Sequence, residues 1–154
     1  MTLRDGSHIA RIVVAVAAAG LAVACNASPA DEAEARHAPA GNFAVERDAD
    51  VAITQDGPHD GGGPTTGHSF FESEDGLEFV FKKRVLHPGS AIGLHTQSAN
   101  EIYYVLSGTG RYTMDDELIE VGPGMALLTK PGGSHALQQT GDQDLVLIIV
   151  YPRH

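Results

Sequence analysis

The chain has 154 residues, a formal net charge of −10 and a single cysteine. This length suits one domain of ordinary size, and a lone cysteine excludes an intramolecular disulfide. There are 10 lysines and arginines against 20 acidic residues, and no basic cluster beyond Lys82–Arg84. Binding to phosphate backbones needs a basic surface, so nucleic acid is not an expected partner.

Residues 1–24 have the pattern of a secretory signal peptide. Arg4 and Arg11 precede an unbroken apolar run from Ile12 to Ala24, which ends in small residues. The run is shorter than the roughly 20 apolar residues that a membrane-spanning helix needs. We therefore predict that the protein is exported and that this segment is removed.

Cys25 follows the apolar run directly. Its position resembles that of the lipidated cysteine of bacterial lipoproteins, although Ala22 stands where their motif usually has Leu, Val or Ile. Because no other role for the cysteine is evident, we predict lipidation at Cys25 and a periplasmic or cell-envelope lipoprotein, attached to the membrane through the lipid alone. The alternative is an ordinary cleaved signal.

Residues 25–66 are rich in Ala, Pro, Gly, Asp and Glu and contain few large apolar side chains. Such a segment cannot bury enough surface to offset an ordering cost of about 1–2 kcal/mol per residue. We predict a disordered tether, with room for one added strand near residues 43–53. His37 and His59 fall in this segment, and we expect both to be solvated and outside any site.

Residues 67–154 form a series of short runs rich in aromatic and β-branched residues, such as "EIYYVLS" and "DLVLIIVY". Gly, Pro and Asp pairs separate the runs, and no window has a helical period with caps. Many short strands in so few residues predict one all-β domain, a sandwich or barrel.

Polar residues of metal-binding type recur on these predicted strands. His95 and Gln97 share one face of a strand because they are two residues apart, and Glu101 shares a face of the next strand with Tyr103. If these faces and that of His135 converge inside a barrel, two imidazoles and one carboxylate meet. This set is typical of non-haem iron(II), would suit manganese or nickel, and is tolerated by zinc.

With these residues in place the sequence resembles the cupin superfamily, in particular its small single-domain bacterial members. The resemblance covers roughly residues 77–151 and implies a jelly-roll barrel, also called a double-stranded β-helix. The first cupin motif is matched in spacing, with Gln97 where the second histidine would stand. In the second motif the proline and a glycine come one residue late, and a glutamine replaces the asparagine. The matching positions are Gly89, His95, Glu101, Gly108, Gly124 and His135, and the displaced or replaced ones are Pro131, Gly133 and Gln139.

The replacement by Gln97 leaves three interpretations open. A neutral carboxamide is a poorer donor to a borderline metal than imidazole, so Gln97 either ligates weakly or holds a water next to the metal. Alternatively it hydrogen-bonds substrate instead. In the third interpretation the site holds no metal, and His95, Glu101 and His135 form a polar pocket.

Charge suggests the kind of ligand. Two neutral histidines and one glutamate leave a divalent ion with a residual charge of about +1, which a carboxylate or enolate would complete. We expect a small anionic organic molecule, with oxidation, isomerisation or lyase chemistry beside a carbonyl. Whether turnover occurs stays open, and the alternative is a binding or sensing module of the cell envelope that holds a small ligand without turnover.

Three further expectations concern the surroundings of the site. Tyr103 shares the face of Glu101 and is the aromatic pocket residue, with a weak claim to a catalytic role. Lys82–Arg84 must turn at least one basic residue inward, so Arg84 is a candidate anchor for an anionic ligand. Ile102, Tyr104 and Leu106 form an apolar outer face that either the strand near residues 43–53 or a second subunit must cover, which predicts a homodimer.

Overall fold

The structure, a computed structural model, describes residues 41–153, and in this range it is an antiparallel β-barrel with one short helix. The predicted all-β, cupin-type fold is confirmed. The elements in chain order are α1 Asp48–Val51, β1 Ala52–Asp56, β2 Pro64–Phe70, β3 Phe79–Leu86, β4 Ala91–Thr96, β5 Glu101–Ser107, β6 Thr109–Met114, β7 Glu117–Val121, β8 Ala126–Thr129, β9 Ser134–Thr140 and β10 Leu145–Pro152.

The strands form two sheets whose inner faces share one core. The first sheet has the order β1-β2-β3-β10-β5-β8 and the second β4-β9-β6-β7. Alternate residues of β5 and β10 are buried, as expected of strands with one face on a core. The buried apolar side chains come from both sheets: Leu86, Ile92, Tyr103, Val105, Tyr112, Val121, Leu137, Leu145, Leu147 and Ile149.

Tight turns between strands depend on glycine at a few positions. Gly108 joins β5 to β6 with φ +78°, a conformation that L side chains rarely adopt. A Cβ on this residue would lie 2.2 Å from the carbonyl oxygen of Asp144. Glycine is therefore required at the turn where the chain passes from β5 in the first sheet to β6 in the second, both for its backbone conformation and for its lack of a side chain.

The segment predicted as a tether differs from expectation over residues 41–66. The added strand, expected near residues 43–53, lies at Ala52–Asp56, and a second strand begins at Pro64, inside the predicted tether. The two strands pair with each other, and β2 also pairs with β3 of the barrel. Cross-strand hydrogen bonds thus order a segment that has little apolar surface of its own. Amino-acid composition alone does not predict such pairing.

Residues 1–40 lie outside the described residues, and so do the predicted signal peptide and the lipidation of Cys25. Within residues 41–153 no helix is long and apolar enough to cross a membrane.

The apolar outer face of β5 stays open to solvent within this chain. Ile102, Tyr104, Leu106 and the facing Leu128 of β8 are each between 43% and 47% exposed. The strand β1 does not cover them, because it pairs with β2 at the opposite edge of the same sheet. The added strand is therefore not the cover of this apolar face, and we propose that a second copy of the chain covers it.

We predict that the full chain has the mass of a dimer and that Ile102→Glu shifts it to a monomer, since a buried unpaired carboxylate opposes association. Sedimentation equilibrium measures both masses. Leu118→Glu is the control, because Leu118 is an exposed apolar residue on β7 of the other sheet, 68% exposed against 44% for Ile102, and the change should leave the mass unaltered. A monomeric wild-type chain would contradict the prediction.

Candidate metal centre

A bulge in β4 delivers His95 to the barrel interior. Ile92 faces Leu137 of β9, but His95 faces His135, so two residues of β4 oppose the single residue Ala136. In a regular strand the residues three apart would face opposite sides, whereas the extra residue turns both Ile92 and His95 inward. The bulge therefore turns the side chain of His95 inward, and it leaves the side chain of Leu94 on the exposed surface.

His135 is directly across the sheet from His95 and is almost completely buried. Its Nδ1 lies 2.7 Å from the hydroxyl of Tyr112 and 2.9 Å from that of Thr129. These two hydroxyls fix the plane of the ring and direct Nε2 toward the mouth of the barrel. Such support of the far ring nitrogen is the usual arrangement around a metal-bound histidine.

Glu101 and Tyr103 lie at the start of β5 on its inner face. Glu101 is buried, and its Oε2 is 3.1 Å from His135 Nε2. Burial in the core, together with the neighbouring Glu101 carboxylate, raises the pKa of Tyr103 well above its ordinary value. Tyr103 is thus a protonated phenol at neutral pH, and the centroid of its ring lies 5.2 Å from that of His135.

Gln97 follows β4 and is held through its own backbone. Its N–H donates to the carbonyl of Gly133 at 2.9 Å, and its carbonyl accepts from the N–H of Gly132 at 2.8 Å. The Pro-Gly-Gly turn before β9 therefore positions this residue. The amide Nε2 lies 3.0 Å from His95 Nε2, 2.7 Å from Glu101 Oε2 and 3.1 Å from His135 Nε2, so Gln97 lies within the cluster.

The donor distances fit a divalent ion. His95 Nε2 and His135 Nε2 are 3.0 Å apart, and both are within about 3 Å of the Gln97 amide. Adjacent ligands of an octahedral ion lie about 3.0 Å apart when each is about 2.1 Å from it. A half-turn of the amide would present its oxygen in place of its nitrogen. His95, Glu101 and His135 together form the one group of potential ligands found among the described residues.

The protonation pattern also favours a cation. His95 Nδ1 is 2.8 Å from the carbonyl of Gly93, so the ring proton is on Nδ1 and Nε2 carries a lone pair. Burial lowers the pKa of His95 below its ordinary value of 6.5, which keeps the ring neutral. If His135 Nε2 also carries a lone pair, the two hydrogens of the Gln97 amide cannot satisfy both imidazoles and Glu101, and a cation among the three would take the place of the missing donor.

Arg84 points into the barrel from β3, as one of the basic residues there was expected to do. It is 8% exposed, its Nη1 donates to the hydroxyl of Thr65 at 3.2 Å, and its Nε has no partner among the described residues. Burial lowers its pKa, although a guanidinium keeps its charge at neutral pH. The structure places this charge beside Tyr103 and Tyr151 rather than in the donor cluster.

His59 is the residue of this site that the sequence analysis missed. Its ring stacks on that of His95, with centroids 3.6 Å apart and planes 9° apart. It lines a pocket of about 260 Å³ at the mouth of the barrel, together with residues of the cluster. His59 is exposed, as expected, but the expectation that it lies outside the site is wrong, because β1 and β2 return the intervening loop to the barrel. No spacing rule identifies it in the sequence.

Gln139, which stands where the second cupin motif has asparagine, is structural. Its side-chain oxygen accepts from the N–H of Gly89 at 2.9 Å, and its nitrogen donates to the carbonyl of Gln143 at 2.7 Å. It ties the turn before β4 to the turn before β10 and takes no part in the cluster.

Comparisons with known proteins agree with this architecture. A family profile described as the cupin domain matches residues 83–151. An oxalate-binding protein of Thermotoga maritima is 35% identical over 72 residues, which are 46% of this chain and 60% of that protein. A 5-nitrosalicylic acid 1,2-dioxygenase of a Bradyrhizobium species is 28% identical over 69 residues, which are 44% of this chain and 33% of that enzyme. The match thus spans less than two thirds of either relative.

Solved structures extend the likeness to the whole barrel. The crystal structure of a predicted oxalate decarboxylase from Thermotoga maritima has a TM-score of 0.66 at 26% identity, over 72% of this chain and 100% of that chain. A polyketide cyclase from Streptomyces resistomycificus has a TM-score of 0.62 at 25% identity, over 71% of this chain and 79% of that chain.

Proposed function

Because the barrel of this chain belongs to the cupin superfamily, we propose that it holds one divalent metal ion and, with that ion, a small carboxylate ligand. The observation that carries the proposal is the meeting of His95 Nε2, Glu101 Oε2 and His135 Nε2 within 4.8 Å of one another. Iron, manganese and nickel suit this set best, and zinc is tolerated.

In the proposal each residue has a defined task. Glu101 supplies the negative charge, and its Oε2 accepts a hydrogen bond from the Gln97 amide at 2.7 Å. His95 and His135 supply neutral nitrogens, whose far sides are fixed by the Gly93 carbonyl and by the hydroxyls of Tyr112 and Thr129. Gln97 completes the set as a weak oxygen ligand or as the holder of a water.

The charge balance selects the ligand class. One glutamate beside neutral histidines and a neutral amide leaves a divalent ion with a net charge of about +1, and the buried Arg84 adds a second positive charge inside the barrel. An anionic ligand on the ion offsets its residual charge, and the Arg84 charge elsewhere in the barrel favours the same sign of ligand. The names of two relatives, an oxalate-binding protein and a nitrosalicylate dioxygenase, support a small carboxylate for this chain as well.

The proposal also includes a chemical reaction of the bound carboxylate. A bound ion would act as a Lewis acid toward a carboxylate or carbonyl group, the step that oxidation, isomerisation and lyase reactions of such molecules share. The second candidate is a cell-envelope module that binds without turnover. One observation favours it: Tyr103, the phenol beside the cluster, is 3% exposed and does not line the pocket at the mouth of the barrel, so it is poorly placed to exchange a proton with a ligand there.

Export and lipidation belong to the same proposal. A signal at residues 1–24 and a lipid on Cys25 would place the barrel at the cell envelope on the end of a tether. Incorporation of labelled palmitate into the wild-type chain, and its loss in Cys25→Ser, tests this placement.

Calorimetric titration of the metal-loaded full chain tests the ligand class. We expect oxalate to bind at least tenfold more tightly than oxamide, its neutral analogue of similar shape, because only the anion offsets the residual charge. Equal affinity for both compounds would show that the cluster does not select a carboxylate.

A further inference from the structure

The loop between β1 and β2, residues 57–63, is built against the metal site. The carbonyl of Pro58 accepts a hydrogen bond from the N–H of Gly93 at 2.9 Å, and the carbonyl of Gly62 accepts one from Ala91 at 3.1 Å. Both donors belong to β4, and Gly93 lies inside the bulge that turns His95 inward. The loop and the bulge are therefore one continuous hydrogen-bonded unit.

Glycines permit this close approach. A Cβ on Gly93 would lie 1.8 Å from the carbonyl oxygen of His59, and a Cβ on either Gly57 or Gly61 would lie 2.1 Å from the carbonyl oxygen of Ala91. No side chain fits in those spaces without moving backbone. These three glycines therefore allow the loop to pack directly against the backbone of β4.

The loop also holds His59 in a costly backbone conformation. His59 has φ 55° and the next residue, Asp60, has φ 58°, although neither is glycine. Such left-handed residues cost about 1 kcal/mol or more each and persist when the surrounding structure imposes them. The result is an exposed imidazole stacked face to face on His95 at the mouth of the site.

Three aromatic residues line the mouth pocket. They are His59, His95 and Tyr151, and Gln97 and Glu101 of the cluster line it as well. The volume of about 260 Å³ is at the low end for ligand pockets and suits a small molecule. Since stacking on His95 uses a face of the His59 ring, the two nitrogens at the edge stay available to a ligand.

Resting on the proposed function, we propose that His59 is a specificity-determining residue, which contacts the planar distal part of a carboxylate ligand whose acid group lies at the cluster. The ligand class is then a carboxylate with an aromatic or conjugated group. Oxalate has no aromatic or conjugated group for His59 to contact, so its affinity should depend little on this residue.

The test compares salicylate and oxalate on the metal-loaded full chain, for the wild type and His59→Asn. Asparagine tolerates the left-handed conformation, so the loop should keep its path while the ring is removed. We expect salicylate to bind about tenfold more weakly to the variant, oxalate affinity to change less than threefold, and metal content to stay at the wild-type value. Asp60→Asn is the matched control, because Asp60 shares the backbone conformation but lines a separate depression.

Several results would contradict the proposal, and each would refute a different part of it. Equal effects on the two ligands, or no effect on either, would overturn the role of His59. A parallel loss of metal would also overturn it, by showing that His59 supports His95 instead. A wild-type chain that binds oxalate but no salicylate would refute the ligand class alone, whereas a wild-type chain without metal would remove the proposed function first.

Discussion

Replacement of His135 by alanine is expected to lower the affinity for Mn(II), Ni(II) and Zn(II) by at least about 100-fold. His135 supplies one of two imidazole nitrogens, and its ring is held by two buried hydroxyls. Among the described residues no further histidine, cysteine or carboxylate belongs to this donor group, so none is placed to substitute for His135. Competition with a chromogenic chelator measures the change.

Two comparisons make this result specific. His87→Ala removes a histidine that bonds Thr66 and Asp144 outside the cluster, so it should bind metal as the wild type does. His135→Gln keeps a polar side chain at the buried position and should lose metal while retaining the circular dichroism spectrum of the folded barrel. Wild-type metal affinity in both His135 variants would show that the cluster is not the metal site.

Gln97→Ala distinguishes the three interpretations of this residue. An affinity about tenfold lower than that of the wild type would identify Gln97 as a weak ligand or as the support of a water. An unchanged metal affinity with a weaker affinity for oxalate would assign it to the ligand. Its place among all three donors, within 3.1 Å of each, favours the first outcome.

The second large effect is expected from Gly93→Ala. The added Cβ would lie 1.8 Å from the carbonyl oxygen of His59, a distance that no side-chain rotation relieves. The loop of residues 57–63 must then leave β4, with loss of the two hydrogen bonds from Gly93 and Ala91. We expect the free energy of unfolding to fall by about 3 kcal/mol, the sum of overpacking and two lost hydrogen bonds.

Urea unfolding measures this change, and Gly122→Ala is its matched control. A Cβ on Gly122 has no atom within 4 Å, and its backbone conformation is not left-handed, so the control should change stability by less than about 0.5 kcal/mol. If the two variants unfold alike, the loop does not pack on β4 as described.

The barrel was predictable because its signals are local. Alternation in β5 and β10, together with turn residues between runs, is enough to predict the strands and to bring Glu101 and His135 to the interior. The same local logic fails for residues 52–66. Their strands exist through pairing with β3, so the stabilising contacts lie outside the segment, and composition indicates a tether instead.

The meeting of His95, Glu101 and His135 was predictable from the sequence, but the surroundings of this cluster were not. Two-residue periodicity correctly puts His95 and Gln97 on one face, yet it also implies that Ile92 and His95 face opposite sides, and only the bulge reconciles these positions. His59 depends on the same bulge. His59 and His95 are far apart in the sequence, and the backbone hydrogen bond from Gly93 to the carbonyl of Pro58 holds the loop where their two rings stack. No residue pattern predicts such a contact.

The most direct test of the account is the metal content of the wild-type full chain, measured by elemental analysis after growth with iron, manganese and nickel supplied in turn. The account predicts about one equivalent of a divalent ion per chain. A chain that holds no metal after supplementation with each ion would contradict it, and His95, Glu101 and His135 would then be a polar pocket that binds a small ligand without metal.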